Sequence, residues 1–183
     1  MGNIFQPEFI YQPLPIHVCS LGRFNGLPWG LSLIGNGAIG TIGWPANNLA
    51  VYTPVSIPTP FTIARFMIAN GSNTTGNVDV GIYDAAGTRL LSTGSTARAN
   101  ASAVQYVDVA NTVFQPGHYY LGLVGSSTTG TYMRSSFSSA ARARLFGMLE
   151  EQLGATTLPA TMTAVAYTRT DVFQYGFTQS DSL

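Results

Sequence analysis

The chain has 183 residues, 45% of them apolar and only 9% charged, with eight acidic and eight basic side chains and a formal net charge of zero. That length accommodates one domain with a sizeable core, or a smaller domain with an arm, and excludes two full domains. All eight basic residues are Arg, spread from Arg23 to Arg169, which excludes a phosphate-neutralising stripe and with it nucleic acid as a partner.

Residues 1–58 hold eight of the Gly, seven of the ten Pro, both Trp and only two charged side chains, Glu8 and Arg23. Disorder ordinarily follows low hydrophobicity and high charge, so this composition predicts instead an irregular apolar arm that needs a surface to bury against. Pro7, Pro13 and Pro15 hold their neighbours extended. The arm is expected to lie on its own domain or on a neighbour's, with Phe5, Phe9, Tyr11, Trp29 and Trp44 as the candidate interface residues.

From residue 59 the pattern becomes strand and turn. PFTIARFMIA reads as a strand that ends at the turn cluster NGSNTTGN. Val78, Val80 and Ile82 then fall on one face and Asp79, Gly81 and Tyr83 on the other, the period of two of a half-buried strand. Asp84 and Gly87 bracket a tight turn, from which residues 88–93 return as the second strand of a hairpin. Further strands are predicted at 104–109, at 118–124 with Tyr119, Leu121 and Leu123 inward, and at 131–137, 162–168 and 171–177. In residues 139–153, Ala141, Leu145, Met148, Leu149 and Leu153 recur at helical spacing, with Glu150 and Glu151 turned away to solvent and Gly154 as a stop. The expected fold is all-β: a two-sheet, jelly-roll-like sandwich of about eight strands over 59–183, with one short helix near 139–153.

No motif carries catalytic or cofactor chemistry. Gly35-Asn-Gly37-Ala-Ile-Gly40 matches GxGxxG as a string, but Thr-Ile-Gly-Trp-Pro follows it where a phosphate-binding helix is needed. With His17 and His118 as the available bases and no GxSxG elbow, a hydrolytic triad is not expected, and Cys19 with two His lacks zinc-site spacing. Asp79 and Asp84 offer oxygens to calcium, yet strand alternation and turn capping account for both. Asn-x-Ser/Thr triplets at Asn70, Asn73 and Asn100 read as turns. No catalytic residue, cofactor or metal is therefore expected.

Several features point to a protein that assembles. A surface so poor in charge does little to repel neighbouring copies. The single Cys19 allows no internal disulfide, and the segment from Met1 lacks the basic start and apolar run of a signal peptide, so synthesis in a reducing cytoplasm is expected. No apolar stretch reaches ~18 uninterrupted residues, so no membrane partner is expected.

The runs Pro60-Phe-Thr-Ile, Ala69-Asn-Gly71, Gly76 to Tyr83, the Asp84 to Gly87 turn, Leu91 to Thr96 and Pro116-Gly-His-Tyr-Tyr-Leu121 resemble small virion proteins of tailed bacteriophages. The resemblance covers about residues 60–125. It implies a β-sandwich module of a virion, of the head-decoration or cement type or of the fibre or spike type, made in the host cytoplasm. By that resemblance the partners would be further copies of the chain, as a homotrimer, and the major capsid protein or another virion protein. A fibre or spike position would add host surface glycan as a ligand.

Overall fold

The computed structural model describes residues 18–19, 38–145 and 150–178. In chain order the elements are β1 (Val18–Cys19), β2 (Ala38–Gly43), β3 (Leu49–Ile57), β4 (Phe61–Ala69), β5 (Asn77–Asp84), β6 (Arg89–Ser92), β7 (Thr96–Ala97), β8 (Val104–Phe114), β9 (Gly117–Gly125), β10 (Thr131–Ser136), α1 (Ala140–Leu145), β11 (Glu150–Leu153), β12 (Val165–Ala166), β13 (Asp171–Phe173) and β14 (Tyr175–Thr178). The fold is an all-β sandwich with one short helix among the described residues.

Three antiparallel sheets build it, in the orders β1-β14-β4-β8, β13-β10-β2 and β12-β11-β3-β9-β5-β6, with β7 paired to β5. The first two are stitched together at Gln174, where the chain passes from β13 to β14. Its N–H donates to Met133 O at 3.1 Å and its carbonyl accepts from Ala69 N at 3.0 Å. They form the front layer, and the third sheet forms the back. Between them lies one apolar core: Val51, Val80, Ile82, Leu121 and Leu123 from the back meet Phe66, Ile68, Phe173, Tyr175 and Phe177 from the front. Ile63 and Phe66, three residues apart, both reach this core because the register of β4 against β8 shifts between Ile63 and Arg65. At that irregularity one residue of β4 faces three of β8, and the alternation of β4 breaks there.

The alternations of Val78, Val80, Ile82 and of Leu121, Leu123 fall on the core side as the sequence predicts. The hairpin turn does as well. Asp84 Oδ1 accepts from Ala86 N at 3.0 Å and Thr88 N at 2.8 Å, and Gly87 takes φ +84°, a left-handed conformation that favours glycine.

Residues 1–58 are not a single arm. Ala38–Gly43 and Leu49–Ile57 are strands, and β3 sits inside the back sheet between β11 and β9. The run LAVYTPVSI is almost continuously buried, because this sheet is covered on both faces, and a doubly covered strand loses the period of two. Pro54, which argues against a central strand, falls two residues beyond Tyr52, the last β3 residue opposite β11, where no strand among the described residues pairs with that side of β3.

Trp44 is consequently a core residue and not an interface residue. It is 2% exposed, lies 4.6 Å from the Phe173 ring and 4.9 Å from that of Tyr132, and donates from Nε1 to Leu49 O at 3.0 Å. Phe5, Phe9, Tyr11 and Trp29 lie outside the described residues.

The helix is also shorter than its periodicity implies. Ser139 Oγ accepts from Arg142 N at 3.3 Å at its start, but Glu150–Leu153 is a strand, opposite Tyr52 to Leu49. The backbone groups of β3 need a partner there, and tertiary pairing overrides a local helical pattern.

Because β3 supplies both core side chains and the ladder to β9, deleting residues 2–58 is expected to abolish cooperative folding. Thermal melting followed by circular dichroism checks this: the account expects no transition in the truncated chain, and a sharp one would contradict the placement of β3.

Candidate functional site

The outer face of the back sheet carries a second apolar cluster, in which Ala50, Tyr52, Tyr83 and Val124 are covered by Ala155 and Leu158. Residues 155–163 lie across the sheet as a strap. Gly81 and Gly122 stand directly opposite one another on β5 and β9, and together they open a dimple between the Tyr52 and Tyr83 rings. Leu158 fills it: a Cβ on Gly122 would lie 3.0 Å from Leu158 Cδ2 and from Tyr83 Cε2. The two tyrosines meet edge to face at 5.4 Å between ring centres.

Polar groups fasten the strap at its ends and middle. Asp79, expected to face solvent, is 1% exposed. Its Oδ2 accepts from Leu158 N at 3.0 Å and its Oδ1 from Thr93 Oγ1 at 3.2 Å. Burial raises the carboxyl above its ordinary value of 3.8, against the lowering effect of the Leu158 and Thr93 bonds. Tyr83 Oη donates to Pro159 O at 2.8 Å, and Arg89 Nη1 donates to Leu158 O. Tyr52 Oη donates to Gln152 Oε1 at 3.0 Å, and burial pushes this phenol up to about 12. With one oxygen spent on the strap and the other on Thr93, Asp79 is a structural acceptor.

One end of the sandwich is organised by a second buried charge, which the sequence left unremarked. Arg98 is 7% exposed, and burial lowers its pKa from the ordinary range. Its guanidinium donates from Nε and Nη2 to Asn70 Oδ1 at 3.1 and 2.8 Å, and from Nη1 to Asn73 O at 3.2 Å. Nη2 also donates to Thr131 O. The guanidinium carbon stands 3.8 Å above the Tyr132 ring. Asn70 in turn donates to Gln105 Oε1 at 3.1 Å, and Gln105 donates to Ala97 O at 2.9 Å. A buried cation held by amide and carbonyl oxygens ties β4, β7, β8 and β10 together. It also consumes the Asn70 side chain, which has no room for a glycan.

The remaining candidates do not converge. His118 lies on β9 with Nδ1 2.9 Å from Ser56 Oγ, while Cys19 is opposite Gly176 on β1 and His17 lies outside the described residues. Glu151, expected on a solvated helix face, is buried, with Oε2 3.2 Å from Arg169 Nε and Oε1 accepting from Thr168 Oγ1 at 2.8 Å. Of the GxGxxG string, Ala38 to Gly40 begin β2 and not a helix. Among the described residues, no group of three or more His, Cys, Asp and Glu comes together to hold a metal.

What the fold does present is an edge. β8 is 11 residues long, contains a single charged side chain, Asp108, and stands last in the front sheet among the described residues. Two of the five exposed large apolar side chains among the described residues lie on it, Tyr106 at 38% and Val113 at 60% exposure. Asp108 is drawn sideways to Arg65 Nε at 2.5 Å.

Two substitutions separate these roles. Arg98→Met leaves the buried Asn70 Oδ1 without its donor, at about 1–3 kcal/mol, and removes the cation over the Tyr132 ring, so denaturant titration is expected to show a loss of about 2–3 kcal/mol, with Arg142→Met on the exposed helix within about 0.5 kcal/mol of the parent. For Asp79 the folded pKa lies above the unfolded one. Its contribution is therefore full below pH 3.8 and is lost as pH rises through the folded value. The stability of the parent relative to Asp79→Asn should accordingly fall between pH 3.5 and pH 7 by denaturant titration, and a difference that grows with pH would contradict the buried carboxylate.

The chain matches no protein-family model and no curated protein by sequence.

Proposed function

We propose that this chain is a non-enzymatic structural protein of a bacteriophage particle, a capsid decoration or cement protein that acts by burying apolar surface across subunit joints. The observation that carries the reading is the β8 edge, 11 residues with one charged side chain, in a chain only 9% charged. Free-standing β proteins shorten, charge or cover such edges. A protein whose edges and apolar surface are covered by neighbours has no such need. The resemblance of residues 60–125 to tailed-phage virion proteins supplies the kind of assembly. In this reading the residues before β1, with Phe5, Phe9 and Tyr11, contact the shell, and the sandwich projects from it.

Particles lacking the protein, mixed with the purified chain and sedimented, test the reading. The full chain is expected to co-sediment, and deletion of residues 2–17 is expected to weaken binding at least about tenfold while the melting transition of the sandwich persists. Failure of the full chain to bind particles, together with binding on a glycan array, would overturn the decoration role in favour of a host-binding fibre module.

A further inference from the structure

Among the described residues, the β8 edge has a defined pattern of unpaired backbone groups. Asn70 N–H donates to Ala103 O at 2.9 Å, and in the register of β4 against β8 the next pairs are Ala69 with Val104, Ile68 with Gln105, Met67 with Tyr106, Phe66 with Val107 and Arg65 with Asp108. Hydrogen-bonded and non-bonded pairs alternate along an antiparallel ladder. Gln105 and Val107 therefore spend their N–H and C=O groups on β4, and Val104, Tyr106 and Asp108 turn theirs to the open side.

Those three outward residues are symmetric about Tyr106. We infer that β8 is a self-pairing edge: two copies of this chain join antiparallel through residues 104–108, about a two-fold axis at Tyr106, into one continuous front sheet. Tyr106 then faces its own counterpart, and Val104 of each copy faces Asp108 of the other, each opposed pair exchanging two N–H···O=C bonds. Every free group of this stretch finds a partner. An isologous contact of this kind closes at two, whereas the homotrimer implied by the family resemblance needs a different contact.

Side chains agree with this register. The two Tyr106 rings, on the outer face of the sheet, become a directly opposed aromatic pair. Asp108, the one charge that could guard the edge, is held by Arg65 of its own chain at 2.5 Å. Beyond it the ladder departs from regularity. Ile63 pairs with Thr112 and Arg65 with Asp108, so Ala64 alone faces Val109, Ala110 and Asn111, and the resulting bulge bends the strand and ends the pairing. Five residues per copy make a small interface, at the weak end of specific contacts.

The inference rests on the assembly reading for its biological meaning but fails or stands separately, because it is read on the purified chain without particles. Sedimentation velocity of the full chain over a concentration series is expected to show a monomer–dimer equilibrium. Tyr106→Lys, which sets two like charges opposite one another, should weaken it at least about tenfold, and Val113→Lys beyond the bulge should not. In a Cys19→Ser background, Tyr106→Cys should cross-link to a dimer with a short bis-maleimide and Val113→Cys should not. A monomer throughout, a trimer indifferent to Tyr106→Lys, or equal cross-linking at 106 and 113 would each overturn the inference. Loss of particle binding with the dimer intact would count against the decoration role alone.

Discussion

The sheet formed by β3, β9 and β5 is buried on both faces, and the rest of the molecule is arranged around that constraint. Its inner side chains, among them Val51, Val80 and Leu123, fill the sandwich core, while Tyr52, Tyr83 and Val124 on its outer side need a second cover. Residues 155–163 provide it, with Leu158 seated over the opposed glycines Gly81 and Gly122. A sheet that is closed on both faces can make new contacts only through its margins and through the other layer. Among the described residues the front layer ends in β8, an edge of this kind.

Charge is scarce in this chain, and where it occurs inside it acts as a fastener. Asp79 holds the strap through Leu158 N, Glu151 is 3.2 Å from Arg169, and Arg98 gathers Asn70, Asn73 and Thr131. Each lies between segments distant in sequence, where a missing partner would leave a buried group unsatisfied at a cost of about 1–3 kcal/mol. Buried polar groups of this kind favour one arrangement over its near neighbours more than they add net stability. Asp79 and Glu151 thus serve as joints of the scaffold.

How much of this was legible in advance follows from the range of the interactions. The alternation of Val78, Val80 and Ile82 and the Asp84 to Gly87 turn are set by neighbours a few residues apart, and the sequence shows both. The outward position of Asp79 was equally legible, but its burial was not, since its partner lies 79 residues further on. β3 was hidden because a doubly covered strand has no period of two, and Glu150–Leu153 because its helical spacing was answered by the backbone of β3. Trp44 looked like an arm residue for want of knowledge that β2 and β3 flank it. Arg98 gave no signal at all, because its partners are backbone carbonyls and amide side chains that no spacing rule marks.

The same distinction between backbone groups already used and groups still free makes the β8 edge open to direct measurement. Hydrogen–deuterium exchange of the full chain, resolved by residue at low and high protein concentration, reports on each amide of 104–108 separately. The account predicts that Gln105 and Val107 are protected at both concentrations by β4, and that Tyr106 and Asp108 exchange rapidly when dilute and slow as the concentration rises. Exchange at Tyr106 that is independent of concentration would contradict it.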